Sequence, residues 1–424
     1  MILIVIKKTV RWYQFKVPVT QFENAIGGIE GYNSIRFMRV YMKGFDKPVV
    51  LRMARLEMVR ADWRRYQFDL SKPGEFLGNE DNSTSFDVSA VSVQENGQKI
   101  PVNYVIPPGI QQQQNIQTTN LVLQNEQALQ LRTTNLKDGD SRAVYRNLEQ
   151  DMRMFKHIKM FVHGEKLGLN PLNDGDLTVF IRLGTDYNNN YYEYEIPLQL
   201  TAPGYYDPNN ENDKAIVWPG ANEINIAFDE LTSAKETRNI ATGKDLTLTQ
   251  KPYSIASGNN TITIVGNPNL GGVKSIMIGI RNPKDDGALA HSAEVWVNEL
   301  RLTDFNNKGG WATTGRVQAK LADLGQVSLA GTYSKPFFGS IEKKINERSK
   351  ETTLNWDFTS QFQIGKFFPA KWKVSLPVYY SYGETRIKPL FNPYEPDVIL
   401  DNLKSNGSFS DSEIKKLKFN SLFY

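Results

Sequence analysis

The chain has 424 residues, of which 40% are hydrophobic and 11% aromatic, enough to form two or three separate cores. Its 50 basic and 46 acidic residues leave a formal charge of only +4, so no global attraction to nucleic acid is expected. The sequence contains no cysteine, which excludes disulfides, thiolate metal sites and cysteine nucleophiles.

The amino-terminal residues 1–6 form an apolar run that is followed by Lys7 and Lys8. This run is too short for a signal peptide or a spanning helix, and the charges come after it rather than before it. We interpret it as a β-strand or as the start of a truncated gene. Because no stretch of about eighteen apolar residues occurs elsewhere, the sequence predicts no transmembrane helix.

Residues 11–310 have the pattern of soluble β structure. Short segments rich in Val, Ile, Tyr and Phe alternate with clusters of Gly, Pro, Asn and Asp. Helical patterns are sparse, and the best candidates are residues 228–238 and 410–417. Strands at this spacing without intervening helices favour a sandwich or jelly roll. The predicted strands include residues 34–42, 88–93, 154–162, 177–183, 191–198, 261–265 and 275–280.

A faint internal repeat divides this region. Residues 13–19 resemble residues 192–198, where aromatic and apolar residues alternate up to a proline in both cases. We therefore predict a truncated first β-sandwich at residues 1–75. The second predicted β-sandwich, a galactose-binding-like jelly roll with insertions, spans residues 76–310.

Motifs that would carry catalysis or cofactor binding are weak. His157 and His163 lie six residues apart on a predicted strand, about 20 Å at the strand rise, so they cannot share a metal. The stretch 174–176 (Asp-Gly-Asp) favours a tight turn over a Ca²⁺ loop. Glu193 and Glu195 favour a solvated strand face over a glycosidase pair. We expect no enzyme activity, no metal and no cofactor.

Four segments between residues 316 and 384 alternate apolar and polar residues. Because side chains alternate faces along a strand, a segment of about ten such residues has one apolar and one polar face, as a tilted transmembrane strand does. Leu324–Gly325 is a plausible turn between the first two segments. A soluble sandwich with one buried face is the alternative for any single segment. Aromatic residues, typical of a bilayer interface, gather at segment ends: Tyr333, Phe337, Phe338, Phe367, Phe368, Trp372, Tyr379, Tyr380 and Tyr382.

The predicted fold class is all-β: tandem β-sandwich or jelly-roll domains followed by antiparallel strands of a partial transmembrane β-barrel, with a terminal loop, at residues 311–424. We place Ser375, Ser381 and Glu384 on the polar face of the last segment. The predicted lipid-facing residues are Leu354, Trp356, Phe358, Phe362, Ile364, Val374, Leu376 and Val378. The predicted lumen-facing residues are Asn355, Asp357, Thr359, Gln361 and Gln363.

Several long phrases resemble the SprA family, called Sov in some members. They lie at residues 12–18, 34–42, 50–52 continuing to 59–64, 293–302, 310–316 and 338–342. That family forms the outer-membrane translocon of the type IX secretion system in Bacteroidetes and is required for gliding motility in gliding members. The resemblance implies a segment of a giant single-chain barrel with β domains that face the periplasm or the lumen. The implied partners are other parts of the same translocon chain, outer-membrane lipid, further type IX secretion proteins and secreted cargo, with no nucleic acid.

A second functional class stays open at this point. A secreted jelly-roll module could bind carbohydrate if exposed rings such as Trp218 or Tyr205 and Tyr206 stacked on sugar faces. Such rings more often cap a core or a loop.

Members of the SprA family are far longer than this chain, so the resemblance implies that the chain is an internal piece. Three or four strands alone cannot close a barrel. We therefore expect it to aggregate in plain buffer, because an apolar strand face and unpaired strand edges are exposed. Light scattering in buffer without detergent measures this. A sharp monomer peak contradicts the prediction.

Overall fold

The computed structural model divides into two units, Met1–Arg60 and Ala61–Tyr424. In the first unit it describes residues 24 and 38–53, which are exposed and contain no helix or strand. Most of the predicted first sandwich lies outside the described residues, as does the helix predicted at residues 410–417. In the second unit it describes residues 62–70, 84–112, 124–168, 171–243, 245–285, 287, 289–307, 309–344 and 347–401, and the backbone of 419–423.

β-Strands dominate the second unit, which confirms the all-β prediction. The first sheet has seven antiparallel strands. In spatial order they are Arg64–Arg65 (β1), Ser141–Gln150 (β4), Val273–Arg281 (β11), Thr178–Gly184 (β6), Tyr191–Pro197 (β7), Asn260–Val265 (β10) and Tyr253–Ser257 (β9).

The second sheet has five antiparallel strands. In spatial order they are Ser85–Ser92 (β2), Gln127–Leu136 (β3), His291–Thr303 (β12), His157–Lys166 (β5) and Ile224–Ala227 (β8). Among the described residues of the second unit, the α-helices are Val93–Asn96 (α1), Glu211–Val217 (α2), Phe228–Thr242 (α3) and Leu246–Thr249 (α4).

These two sheets form a sandwich around one core. Val179 and Ile181 of β6 bury their side chains in the same cluster as Leu131 of β3 and Val295 and Val297 of β12. Alternate residues of each strand supply this core because successive side chains point to opposite faces of a sheet. The strands predicted between residues 88 and 280 are present, but the sequence pattern did not predict β3, β4, β8 and β9.

A third, open sheet and a short hairpin follow the sandwich in the chain. All neighbouring strands in both are antiparallel. The open sheet has the order Ala312–Leu321 (β13), Gly325–Ser334 (β14), Glu351–Gln363 (β15), Pro377–Pro389 (β16) and Phe419–Phe423 (β19). The hairpin consists of Phe391–Asn392 (β17) and Glu395–Ile399 (β18).

The predicted helix at residues 228–238 is confirmed and extends to Thr242 as α3. It ends at Gly243, whose left-handed backbone (φ 59°) lets its N–H reach the carbonyls of Asn239 and Ile240. Glycine suits this position because it has no Cβ to clash there. No helix in the described part of the chain is long and apolar enough to span a membrane.

The outer face of the first sheet contains a buried ionic cluster. Glu193 is only 3% exposed and pairs with Arg182 and with Arg281, whose Nη2 lies 3.0 Å from the Glu193 carboxylate. Our expectation of a solvated face is therefore wrong for Glu193, because long arginine side chains from β6 and β11 cover it. Although burial opposes ionisation, these two guanidinium groups lower the pKa of Glu193 below its ordinary value.

We expect Glu193→Gln to destabilise the sandwich by about 3 kcal/mol at pH 7, because it leaves buried arginine charge without its partner. A carboxylate with a lowered pKa contributes stability above its unfolded pKa of about 4.3, and that contribution disappears as the pH falls through the folded value. The variant should therefore lose less stability than the parent on acidification to about pH 2.

Urea unfolding followed by tryptophan fluorescence measures both effects. Glu211→Gln is the control, since Glu211 is 65% exposed and its ion pair with Lys214 lies at the helix surface. Parallel acid dependence in the Glu193 variant and the parent would contradict the assignment.

Candidate functional site

The candidate functional site is the open sheet, because its two faces differ chemically. The register places Val317 beside Leu329, Leu329 beside Phe358, and Phe358 beside Tyr382. Residues in register on neighbouring strands point to the same side of a sheet. One face is therefore apolar across four consecutive strands.

The apolar face is exposed over much of its area. Val317 is 67% exposed, Leu329 47% and Tyr380 55%. At the centre of the face, Trp356 packs against Tyr382 with ring centroids 5.2 Å apart, and Phe358 lies 6.2 Å from Tyr380. An uncovered apolar patch of this kind marks contact with lipid or with another surface.

The opposite face presents hydroxyl, amide and charged groups. The Thr385 hydroxyl donates to the Asn355 carboxamide at 3.3 Å, and Arg316 Nε donates to Ser328 at 3.4 Å. These hydrogen bonds connect neighbouring strands across a surface that is otherwise free to contact water.

The structure brings most of the predicted site residues together. Leu354, Trp356, Phe358 and Phe362 lie on one side of β15, and Asn355, Asp357, Thr359, Gln361 and Gln363 on the other. The alternation is confirmed, whereas the assignment of the faces to lipid and lumen stays a prediction.

Three of the predicted lipid-facing residues lie outside the strands. Ile364 begins a 3-10 turn at Ile364–Phe367, and Val374 and Leu376 precede β16, which starts at Pro377. Of the three residues predicted to face lipid on the last segment, Val374, Leu376 and Val378, only Val378 lies in a strand. The pattern of alternation continued through this connection in the sequence, but the backbone turns there.

Glu384 is not on the polar face, which corrects our expectation. It lies directly opposite Trp356, whose indole N–H donates to its carboxylate at 3.2 Å, and it pairs with Arg386 on the same side. Residue 384 is an even number of positions from Tyr380 and Tyr382, so the alternation along the strand already places it on the same face as these two rings. Trp356 and Arg386 satisfy the carboxylate on an otherwise apolar face.

The β17–β18 hairpin attaches the open sheet to the sandwich. Lys235 of α3 and Asp397 of β18 form an ion pair at 2.9 Å, and both side chains are fully buried. Lys235 also donates to the Pro268 carbonyl at 2.8 Å. The other Asp397 oxygen accepts from the Tyr192 hydroxyl at 2.6 Å and from the Leu270 amide. Each charge thus has several polar partners, as buried charges require.

Neighbouring groups extend this network. Asn239 donates to Glu395, and Arg238 donates to Asn239 Oδ1 at 2.8 Å from Nη2. Burial, and then the nearby Asp397 carboxylate, raise the pKa of Tyr192 well above its ordinary value. The phenol therefore stays protonated and remains a hydrogen-bond donor to Asp397.

A second contact lies beside the hairpin. Arg153 donates to the Pro396 carbonyl at 2.8 Å and stacks over the Phe391 ring at 4.6 Å. Asp151 accepts from Arg153 and from Lys350, the residue before β15, at 2.8 Å. Although burial opposes ionisation, these hydrogen bonds lower the pKa of Asp151. The sandwich is thus joined to the open sheet before β15 and after β16.

The remaining sequence candidates occupy structural positions. Both His157 and His163 lie in β5; His157 contacts Asp304, and buried His163 stacks on Trp296. Residues 174–176 lie in a turn before β6, with Gly175 at φ 87°. Among the residues that the structure describes, no three His, Asp or Glu side chains are placed to hold a metal.

Trp218 is buried and donates its indole N–H to the Val105 carbonyl at 2.8 Å, so it cannot stack on a sugar in this structure. Tyr205 is 64% exposed, and the Tyr206 hydroxyl donates to the Ala202 carbonyl. Elsewhere, an open cleft of about 620 Å³ lies where β7, β8 and the β9–β10 turn meet. Tyr194, Asn225 and Asn260 are among its lining residues.

The sandwich and the two-faced sheet anchored to it define an all-β protein in which a closed two-sheet core is joined to an open sheet with one apolar and one polar face. A family model described as a motility related/secretion protein, SprA_N, matches residues 5–403. Because this match covers most of the sequence, the chain belongs to that family. Its role is in motility or secretion, which indicates an association with a membrane. No curated protein matches the chain.

We expect Lys235→Met to destabilise the sandwich by about 3–5 kcal/mol, because Asp397 would remain buried without its cation. Lys388→Met is the matched control: Lys388 pairs with Asp401, and the two side chains are 40% and 67% exposed. Its removal should cost at most about 1 kcal/mol. Denaturant unfolding of both variants measures the difference. Equal losses in the free energy of unfolding would show that the buried pair stabilises the protein no more than the exposed pair does.

Proposed function

We propose that this chain is a structural part of an outer-membrane protein-secretion channel, the type IX secretion translocon that also serves gliding motility in Bacteroidetes. Membership of the motility and secretion family supports this role. The channel would work by gated passage of cargo and would need no chemical step. Its partners would be the rest of the same chain, outer-membrane lipid, other type IX secretion proteins and the secreted cargo.

The observation that carries the proposal is the exposed apolar face of the open sheet. Phe358 and its neighbours Leu329 and Tyr382 would face hydrocarbon, while Asn355 and Asp357 on the opposite side of β15 would face an aqueous lumen. A strand in lipid must have its backbone groups paired with neighbouring strands. β14 and β15 have ladder partners on both sides, and β16 pairs with β15 along its whole length and with β19 at residues 383–387.

The strand lengths suit this role. β15 and β16 each have 13 residues, or about 40 Å at the rise of an extended strand. The apolar band of an outer-membrane barrel is about 25 Å tall, so even strongly tilted strands of this length can cross it.

The anchored sandwich would act as a rigid wall beside the channel. Its connection through Asp397 and Lys235 ties α3 to the segment that follows β16. A force that moves the sandwich would then also move β15 and β16. In this role the domain orients the barrel section and limits the path open to cargo.

Single cysteines test the assignment of the faces, since the natural chain has none. Phe358→Cys in the protein in its native membrane should react with a lipid-restricted thiol reagent, whereas Thr359→Cys should react only with a water-soluble one. Phe358→Arg should cost about 2–4 kcal/mol at mid-bilayer, with a mild effect for Thr359→Arg.

The two neighbouring positions serve as each other's control because they lie on opposite faces of one strand. Reaction of both cysteines with the aqueous reagent alone would overturn the membrane role of this sheet.

A further inference from the structure

The connection between β15 and β16, residues 364–376, has an unusual surface, and we call it the β15–β16 loop. Every residue from 366 to 380 is exposed. This stretch contains large apolar side chains, among them Phe367 at 71% exposure and Trp372 at 65%. Phe368 stacks on Trp372 with centroids 6.0 Å apart. Such a continuous exposed patch indicates a contact surface.

The loop has a defined backbone. The Gly365 amide donates to the Leu376 carbonyl and closes the base of the loop, and the Phe368 amide donates to Gly365. A second 3-10 turn at Ala370–Trp372 ends at Lys373, which adopts a left-handed conformation (φ 52°). The apolar side chains are therefore presented on a structured support.

The charge of the loop has one sign. It contains Lys366, Lys371 and Lys373 and no acidic residue. Lys366 pairs with Asp323 in the neighbouring β13–β14 turn at 3.0 Å. Lys371 and Lys373 have no ion-pair partner in the described part of the chain and are exposed. Aromatic rings interleaved with unpaired lysines complement an anionic interface that also has an apolar layer.

The position of the loop fits such an interface. β15 starts next to Lys350, which contacts Asp151 of the sandwich, and ends 13 residues later at the loop. The loop therefore lies at the end of the open sheet that is farther from the sandwich anchor. Tryptophan and tyrosine are enriched where membrane strands leave the hydrocarbon, and lysine extends from there to the headgroups.

We propose that the β15–β16 loop inserts into the headgroup layer of a membrane that contains anionic phospholipid, with Phe367 and Trp372 at the edge of the hydrocarbon and Lys371 and Lys373 on lipid phosphates. This inference rests on the proposed function, because the strands must cross the bilayer for the loop to reach its far side. It assigns Val374 and Leu376 to an interfacial anchor instead of to the transmembrane strands.

An environment-sensitive fluorophore on a single cysteine tests the proposal. The full chain carrying Trp372→Cys is reconstituted into vesicles of phosphatidylcholine alone or with about 30% phosphatidylglycerol, the anionic component to which lysines respond. The probe should be quenched by headgroup-attached nitroxides and protected from aqueous iodide in the anionic vesicles. A Phe358→Cys probe in the same vesicles reports separately on the strand.

The double variant Lys371→Gln/Lys373→Gln should weaken the insertion equilibrium in anionic vesicles about fivefold for each lysine. Lys251→Gln/Lys274→Gln makes the same charge change at exposed positions on the sandwich and should leave it unchanged.

Different failures point to different conclusions. If the probe at 358 lies in lipid but the probe at 372 stays in water, the loop proposal is overturned and the channel role stands. If both probes stay in water, the proposed function fails as well. Insertion without any dependence on anionic lipid overturns the lysine contacts.

Two further results would identify another occupant and overturn the lipid assignment. Protection of the probe at 372 by inorganic phosphate without vesicles would indicate a free-anion site. Protection in detergent that increases with protein concentration would indicate a second copy of the chain.

Discussion

The buried ion pair between Lys235 and Asp397 connects the two halves of this structure. Its charges come from α3 of the sandwich and from β18, which follows the open sheet in the chain. Both side chains are fully buried, and their polar partners are each other together with Tyr192, Pro268 and Leu270. Removing one partner of such a pair leaves the other charge buried and unpaired, so the pair opposes separation of the hairpin from the sandwich.

This constraint explains how an open, two-faced sheet can be held on the sandwich. The sandwich closes its own core between two sheets, whereas the third sheet leaves its apolar face uncovered. Ion pairs at Asp151 and Asp397 contribute to the junction, and they use no side chain of the apolar face. In the proposed function, that face would contact hydrocarbon and the β15–β16 loop would contact the headgroup layer beyond it.

Local patterns predicted the open sheet well and the polar clusters poorly. The period of two in β13–β16 depends only on neighbours in sequence, so the order of residue types is enough to recognise these strands and their faces. The strand β3 was missed because its sequence, QALQLRTTNL, is rich in Gln, Asn and Thr, and pairing with β2 and β12 makes it a strand. Glu193 was expected on a solvated face because the arginines that cover it come from other strands.

By itself, the sequence determined the all-β class, the family resemblance, the alternation of faces and the helix α3, because each depends on residue types at short spacing. Tertiary structure alone decided that residues 391–399 leave the open sheet to dock on the sandwich, that Lys235 meets Asp397, and that Val374 and Leu376 belong to a loop. These features join residues as much as 162 positions apart or depend on where the backbone turns. A pattern of hydrophobic and polar residues contains no information on either, since it records which face a side chain takes but not which partner it finds.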